Sequence, residues 1–290
     1  MESFINIWQK LPSHIDPNLL SFGSFQLRYY SLMYIVAAAI VYFLVIYRIK
    51  NEKTKNMSRP VYEYKPEIIQ DWIVWAMIGL IIGGRFGYAL FYNFNYYFQH
   101  PLEIVLPFDF SHGIRFVGLS GMSYHGGVIG VAIASIYFCR KYGIDIWHFA
   151  DLICPAIPLG YTFGRIGNFI NGELWGRATT VPWGMYFPLD TTHQLRHPSQ
   201  LYEAALEGLV LFAFLWLVRK KNFAAGSLLG LYIIGYGVVR FFIEFYREPD
   251  EQLGFVLSFL SMGQVLCIIM ILAGMAIFLW RKKAARQSGT

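Results

Sequence analysis

Three arginines, Arg85, Arg165 and Arg240, fall within or at the ends of long apolar runs. An ionised side chain at membrane depth is costly. It marks either a functional site or an anchor whose charged end snorkels to the lipid headgroups. Arginine is the cation whose planar fork matches a phosphate or carboxylate through two parallel hydrogen bonds, in a partly dry site. Around Arg240, the residues Tyr236, Arg240, Glu244 and Arg247 recur at helical spacing and share one face. Earlier in the chain Gln200, Glu203 and Glu207 do the same, behind a Pro198 suited to a helix start. Such acids either hold a helix bundle together by ion pairs or orient the arginines from behind. The densest mixture is GRIGNFINGELWGR at 164–177, where Arg165, Asn168, Asn171, Glu173 and Arg177 alternate with glycines that let backbone approach a ligand. The chemistry implied is recognition of an anion.

His125, in SGMSYHGGVIG at 120–130, could accept a proton, although alone it reads more readily as a structural histidine paired with its neighbours. Gly79, Gly83 and Gly87, and likewise Gly126 and Gly130, have the four-residue spacing of closely packed membrane helices. GLSG at 118–121 resembles the nucleophile motif of rhomboid-type intramembrane proteases, with Ser120 as nucleophile. No histidine follows in the last three apolar runs to serve as its base. The cysteines, Cys139, Cys154 and Cys267, lie in or beside apolar runs without metal-ligand spacing and read as packing residues. Neither a metal nor a cofactor is expected.

The elements that must position these groups are membrane helices. Of 290 residues, 56% are hydrophobic and 14% charged, with a mean hydropathy of +0.42. A soluble domain carries roughly 25% charged residues. The pattern predicts an all-α integral membrane protein, a single catalytic domain over 1–290. About seven spans are expected, near 29–48, 68–92, 120–139, 147–166, 199–218, 224–246 and 256–280. No cleavable leader is apparent in the first 28 residues, so the first span should be retained. Basic clusters follow spans one, three, five and seven: from Arg48 to Lys65, Arg140 and Lys141, Arg219 to Lys221, and Arg281 to Arg286. By the positive-inside rule these face the cytoplasm, placing the N-terminus outside and the C-terminus inside, with polar loops on the outer face. The net charge of +6 is thus a topology signal, and no nucleic-acid partner is expected. A transporter is the other class that buried charges suggest. Its site would lie near the midplane between repeated halves, whereas these charges crowd toward the outside and no internal repeat is evident.

The run from Gly164 to Gly176, HGG at 125–127, RHPSQLYE at 196–203 and YGVVRFFIEFYREPD at 236–250 together resemble, in order, the prolipoprotein diacylglyceryl transferase family. The resemblance covers nearly the whole chain. It implies transfer of the diacylglyceryl group of phosphatidylglycerol to the lipobox cysteine of prolipoprotein signal peptides, forming a thioether and releasing glycerol phosphate. This is the first step of bacterial lipoprotein maturation. It also implies an inner-membrane enzyme in contact with membrane lipids, its active site toward the periplasmic face. Residue by residue, the resemblance assigns catalysis to Arg165, His125 and Arg240. It assigns lipid-contacting or supporting roles to Tyr30, Asn168, Glu173, Gly176, Tyr236, Glu244 and Arg247. Arg85 joins the substrate-binding candidates as the third arginine in an apolar run.

Overall fold

A computed structural model describes residues 2–22, 25–52, 65–106, 108–109, 115–116, 121–248 and 260–287. Ser120, the start of the seventh expected span at 256–259, and part of the first basic cluster lie outside these residues. The chain is mostly helical. Helix α1 (Glu2–Gln9) and a 3₁₀ turn lead into a hairpin of β1 (Asn18–Phe22) and β2 (Phe25–Arg28), then α2 (Tyr29–Asn51). Next come α3 (Pro66–Phe91), the short α4 (Phe94–Gln99) and α5 (Leu102–Val105), a two-residue pairing of β3 (Phe108–Asp109) with β4 (Arg115–Phe116), and α6 (Tyr124–Tyr142). They are followed by α7 (Ile146–Ile153), α8 (Ile157–Ile170), a helix over Ser199–Val218, α11 (Ser227–Ile243) and α12 (Met262–Gln287). The helix Ser199–Val218 begins as α9 (Ser199–Glu203), winds as a π-helix over Ala204–Val210, and finishes as α10 (Leu211–Val218).

Four of these helices are long and apolar enough to cross a membrane: Tyr29–Asn51, Pro66–Phe91, Ser199–Val218 and Met262–Gln287. Their bounds follow local chemistry. Pro66 opens α3, where its missing N–H costs nothing, and Ser123 caps α6 by accepting from Gly126 N at 3.2 Å. Gly143, at φ 65°, closes α6. The expected span 147–166 is two helices, since the chain breaks around Pro155 before resuming at Ile157. Phe43, Leu217, Phe242 and Leu279 are exposed, a surface suited to acyl chains and penalised in water.

The chain divides into two compact units, 63–149 and 1–62 with 150–290. In the smaller unit, α3 and α6 meet backbone to backbone through their glycines. A Cβ on Gly79 would stand 2.6 Å from the Gly130 carbonyl, and one on Gly83 would run into that of Gly126. Both glycine runs therefore pack helices, as their spacing suggested.

In the larger unit, α2 packs on α8, where Cβ atoms at Gly160 and Gly167 would sit 3.1 Å from Val41 and Tyr30. Helix α11 packs on α12 through Gly230 and Gly274. At the basic end of α2, Glu52 joins Arg48 at 2.8 Å and Arg219 at 2.5 Å, all three buried. Asp151 accepts from the amides of Gly226 and Leu229 at 2.9 and 3.0 Å, satisfying the start of α11. At the other end of this unit, Phe169, Met185 and Phe187 form a small core covered by Trp8, Ile15, Trp175 and Leu201. The segment after α8 is folded by antiparallel bridges that pair Gly176 with Arg247, and both Ala178 and Met185 with Arg196.

Candidate active site

In the larger unit, helices α8, α9 and α11 bring the polar residues of three distant sequence blocks together. Arg165 on α8 donates from Nε to Tyr161 Oη at 2.6 Å, and that nitrogen lies 2.8 Å from Glu203 Oε2. Its Nη1 reaches Asn168 Oδ1 at 3.3 Å. Arg240 on α11 reaches the same Glu203 Oε2 at 3.2 Å, Glu207 Oε1 at 3.5 Å and Glu244 Oε2 at 3.1 Å. Arg247 Nη1 lies 3.8 Å from Glu203 Oε1. Glu203, fully buried, is thus the hub on which three arginines converge.

The shape of the helix Ser199–Val218 matters here. The π-helical turn carries Glu207 while Glu203 closes the preceding α-helical turn, and both carboxylates face Arg240. Such wide turns often occur at functional sites. Tyr161 Oη donates to Glu207 and lies 3.4 Å from Glu203 Oε2, and its ring meets that of Tyr236 edge to face.

Energy fixes how such a network must be used. Each buried ion gives up several kcal/mol of solvation. A unit-charge pair at 4 Å returns roughly 4 kcal/mol at an effective dielectric of 20, so the arrangement holds only while both signs are present. Removal of one partner of a buried pair costs about 3–5 kcal/mol.

Around this core the remaining candidates take supporting positions. Glu173 accepts from Asn168 Nδ2 at 2.8 Å and Asn171 Nδ2 at 3.4 Å, and its carbonyl accepts from Gln200 Nε2 at 2.7 Å. Tyr30 hydrogen-bonds Tyr34 through their hydroxyls at 2.8 Å. Glu244 also meets Ser261 Oγ at 3.3 Å. Gly176 occupies a position where side chains do not fit, since a Cβ would collide with the Tyr246 carbonyl and stand 2.9 Å from His197 Cβ. Arg177 donates to the Arg247 carbonyl at 2.7 Å, which ties the segment after α8 to the end of α11.

Two candidates lie in the smaller unit. His125 is exposed on the first turn of α6, its ring edge-on to Tyr124. Arg85 is buried, with its fork on backbone: Nε donates to the Ile104 carbonyl at 3.0 Å, Nη2 to that of Glu103 at 2.5 Å and Nη1 to that of Gly121 at 3.4 Å. It stacks over Tyr97 and clasps the chain between α3 and α6.

Sequence reasoning passed over Tyr161, which the geometry places between Arg165 and Glu207. The available signal was its spacing, one helical turn before Arg165 on the same face. Arg196 is structural: it pairs with Asp190 at 2.7 Å and Glu248 at 3.0 Å. Burial raises the Asp190 carboxyl, but hydrogen bonds from Arg196 and Thr192 outweigh it and hold the pKa down to about 2. Burial also lowers the pKa of nearby His197 below the usual imidazole value.

Comparison with known proteins adds an independent line. Residues 17–280 match the family model of prolipoprotein diacylglyceryl transferase. A protein of Chlorobaculum tepidum named phosphatidylglycerol--prolipoprotein diacylglyceryl transferase is 53% identical over 289 residues, spanning 99% of this chain and 97% of its own. Proteins of the same name from Bordetella avium and Nitrosomonas europaea are each 45% identical, over 94% of this chain and 97% and 94% of theirs.

Proposed function

We infer the working of this site from one premise: the chain belongs to the prolipoprotein diacylglyceryl transferase family. It is a transferase that moves the diacylglyceryl group of phosphatidylglycerol to prolipoprotein, the first step of lipoprotein maturation. The acceptor is the lipobox cysteine thiol of the signal peptide, and the product is a thioether with glycerol phosphate released. The enzyme sits in the bacterial inner membrane as a single catalytic domain of seven spans. Arg165 and Arg240 lie toward the periplasmic side, and the basic clusters around Arg48, Arg219 and Arg281 toward the cytoplasm.

The observation that carries the mechanism is that Arg165 and Arg240 both stand within hydrogen-bond distance of one anionic oxygen, Glu203 Oε2. Two forks able to share one oxyanion suit a phosphodiester whose oxygen gains charge as its bond to carbon breaks. The acceptor needs the opposite help. A free thiol has a pKa of roughly 8.5 and is only slightly ionised near neutrality. His125 takes its proton, and sulfur then attacks the glycerol carbon as phosphate leaves. Asn168, Glu173, Glu244 and Arg247 hold the two catalytic arginines in place, Tyr30 and Tyr236 line the lipid site, and Gly176 sets the backbone around it. The test is release of glycerol phosphate from phosphatidylglycerol by the purified chain, dependent on added lipobox peptide. Release without peptide, or none with it, would contradict the assignment.

A further inference from the structure

Charge at the site is already short of balance, with three arginines against four carboxylates, and the substrate adds to the negative excess. Arg165, Arg240 and Arg247 face the carboxylates of Glu203, Glu207, Glu244 and, through Asn168, Glu173. The arginines are already engaged by acids. A phospholipid phosphate that enters between Arg165 and Arg240 brings another negative charge next to two fully buried carboxylates of one helix, Glu203 and Glu207. Like charges that close in a dry site do not all stay ionised, and the cheapest adjustment is uptake of one proton.

The groups facing Glu207 point to where that proton goes. Tyr161 and Arg165 face it from α8, Arg240 from α11, and Glu203 from its own helix, while buried Cys267 approaches from α12. Glu203 is held by Arg165 and Arg240 at 2.8 and 3.2 Å, with Arg247 at 3.8 Å. Glu207 has one weaker guanidinium contact at 3.5 Å together with the Tyr161 hydroxyl. Tyr161 is only partly buried and also touches Arg165, so it links Glu207 to the place the phosphate takes.

We propose that Glu207 is the proton store of the reaction, filled as the lipid phosphate binds and emptied through Tyr161 onto the phosphate as it leaves. This rests on the phosphate reading of Arg165 and Arg240. On lipid binding, the Glu207 carboxylate takes one proton from water. As sulfur bonds to the glycerol carbon, the bond from that carbon to the phosphate oxygen breaks and the electron pair stays on oxygen. Tyr161 gives its hydroxyl proton to the departing phosphate monoester and regains one from Glu207, which returns to carboxylate. The thiol proton leaves by His125 to water, so the turnover takes up one proton and releases one. Glu207 and Tyr161 are proton-handling partners of the catalytic arginines, and they should affect turnover and its pH profile more than lipid capture.

Calorimetry of phosphatidylglycerol micelles binding to the detergent-solubilised chain, in buffers of different ionisation enthalpy, counts protons directly. The wild-type chain should take up about one proton per lipid, and affinity should fall roughly tenfold per pH unit over the range where uptake is complete. Glu207→Gln should bind with no uptake and a flat pH dependence. Tyr161→Phe should bind with similar affinity and lose about 10²-fold in turnover. Wild-type binding that depends on Arg165 but takes up no proton overturns the proton store alone. Unchanged affinity in a folded chain that carries both Arg165→Gln and Arg240→Gln overturns the phosphate site and this proposal with it.

Discussion

Two guanidinium groups within hydrogen-bond distance of one carboxylate oxygen, at 2.8 and 3.2 Å, make the fork of Arg165 and Arg240 matter more than its charge alone. Arg165→Lys keeps the charge and loses the fork. Because a hydrogen bond to a charged group is worth roughly 1.5–3 kcal/mol, turnover should fall about tenfold or more. On the proposed role of Arg165, whose contact to phosphate would strengthen as the leaving group gains charge, the loss should appear in kcat more than in KM. An anchoring role predicts the reverse, because lysine snorkels as well as arginine; unchanged kinetics of a folded Arg165→Lys chain would support anchoring. Gly176→Ala tests a steric requirement. Its Cβ would meet the Tyr246 carbonyl, and thermal unfolding in detergent should show a loss of about 1–3 kcal/mol, typical of overpacking. At this scale the sequence was legible where a residue broke its surroundings. A charge in an apolar run is conspicuous, so Arg165 and Arg240 could be read directly. Tyr161 was not legible because a tyrosine in an apolar helix breaks no rule. The partners of Arg85 were hidden too, since they are backbone carbonyls whose positions no residue type reveals.

Helices α3 and α6 show how far an element can be read from its pattern. Four-residue glycine spacing indicated close packing, and the two backbones do meet at Gly79, Gly83, Gly126 and Gly130. Gly83→Leu should therefore lower the unfolding temperature sharply, whereas Ile81→Leu, on an exposed position of the same helix, should not. The π-helical turn at Ala204–Val210 was not legible, because the shift it makes serves contacts to Arg240, which lies thirty-three residues beyond Glu207. The break in the expected span 147–166 had a visible cause in Pro155, outweighed in the pattern by the apolar residues on either side. The segment after α8 has its own pH dependence. His197 has a lowered pKa, so the fold prefers it neutral. Its contribution is complete above the unfolded value of about 6.5 and is lost as pH falls. Asp190, depressed to about 2, contributes above its unfolded value of about 3.9 and is lost only as pH falls through about 2. Amide protection at Met185 and Arg196, which bond each other's carbonyls, should weaken in that order on acidification. A single loss below pH ~4 would show that His197 contributes nothing.

Across the whole molecule, the proposed topology follows from the distribution of lysine and arginine, and the structure adds that two of the basic-end arginines, Arg48 and Arg219, are buried on Glu52. All three cysteines are buried, and none is needed for a thioether to a peptide thiol. A chain with Cys139, Cys154 and Cys267 replaced by Ala should keep substantial activity. In that background a cysteine at exposed Asn95 should react with an impermeant reagent in intact cells, and one at exposed Lys220 should not. Labelling at Lys220 would reverse the orientation. The central claim is the group transferred and the arginines that manage it. Its most direct measurement is the intact mass of a lipobox peptide after incubation with phosphatidylglycerol and the purified chain. The expected result is a gain of one diacylglyceryl group on the cysteine, abolished when that cysteine is replaced by serine and greatly slowed in Arg165→Lys. An unmodified peptide mass with folded wild-type protein, or an equal rate in Arg165→Lys, would contradict the account.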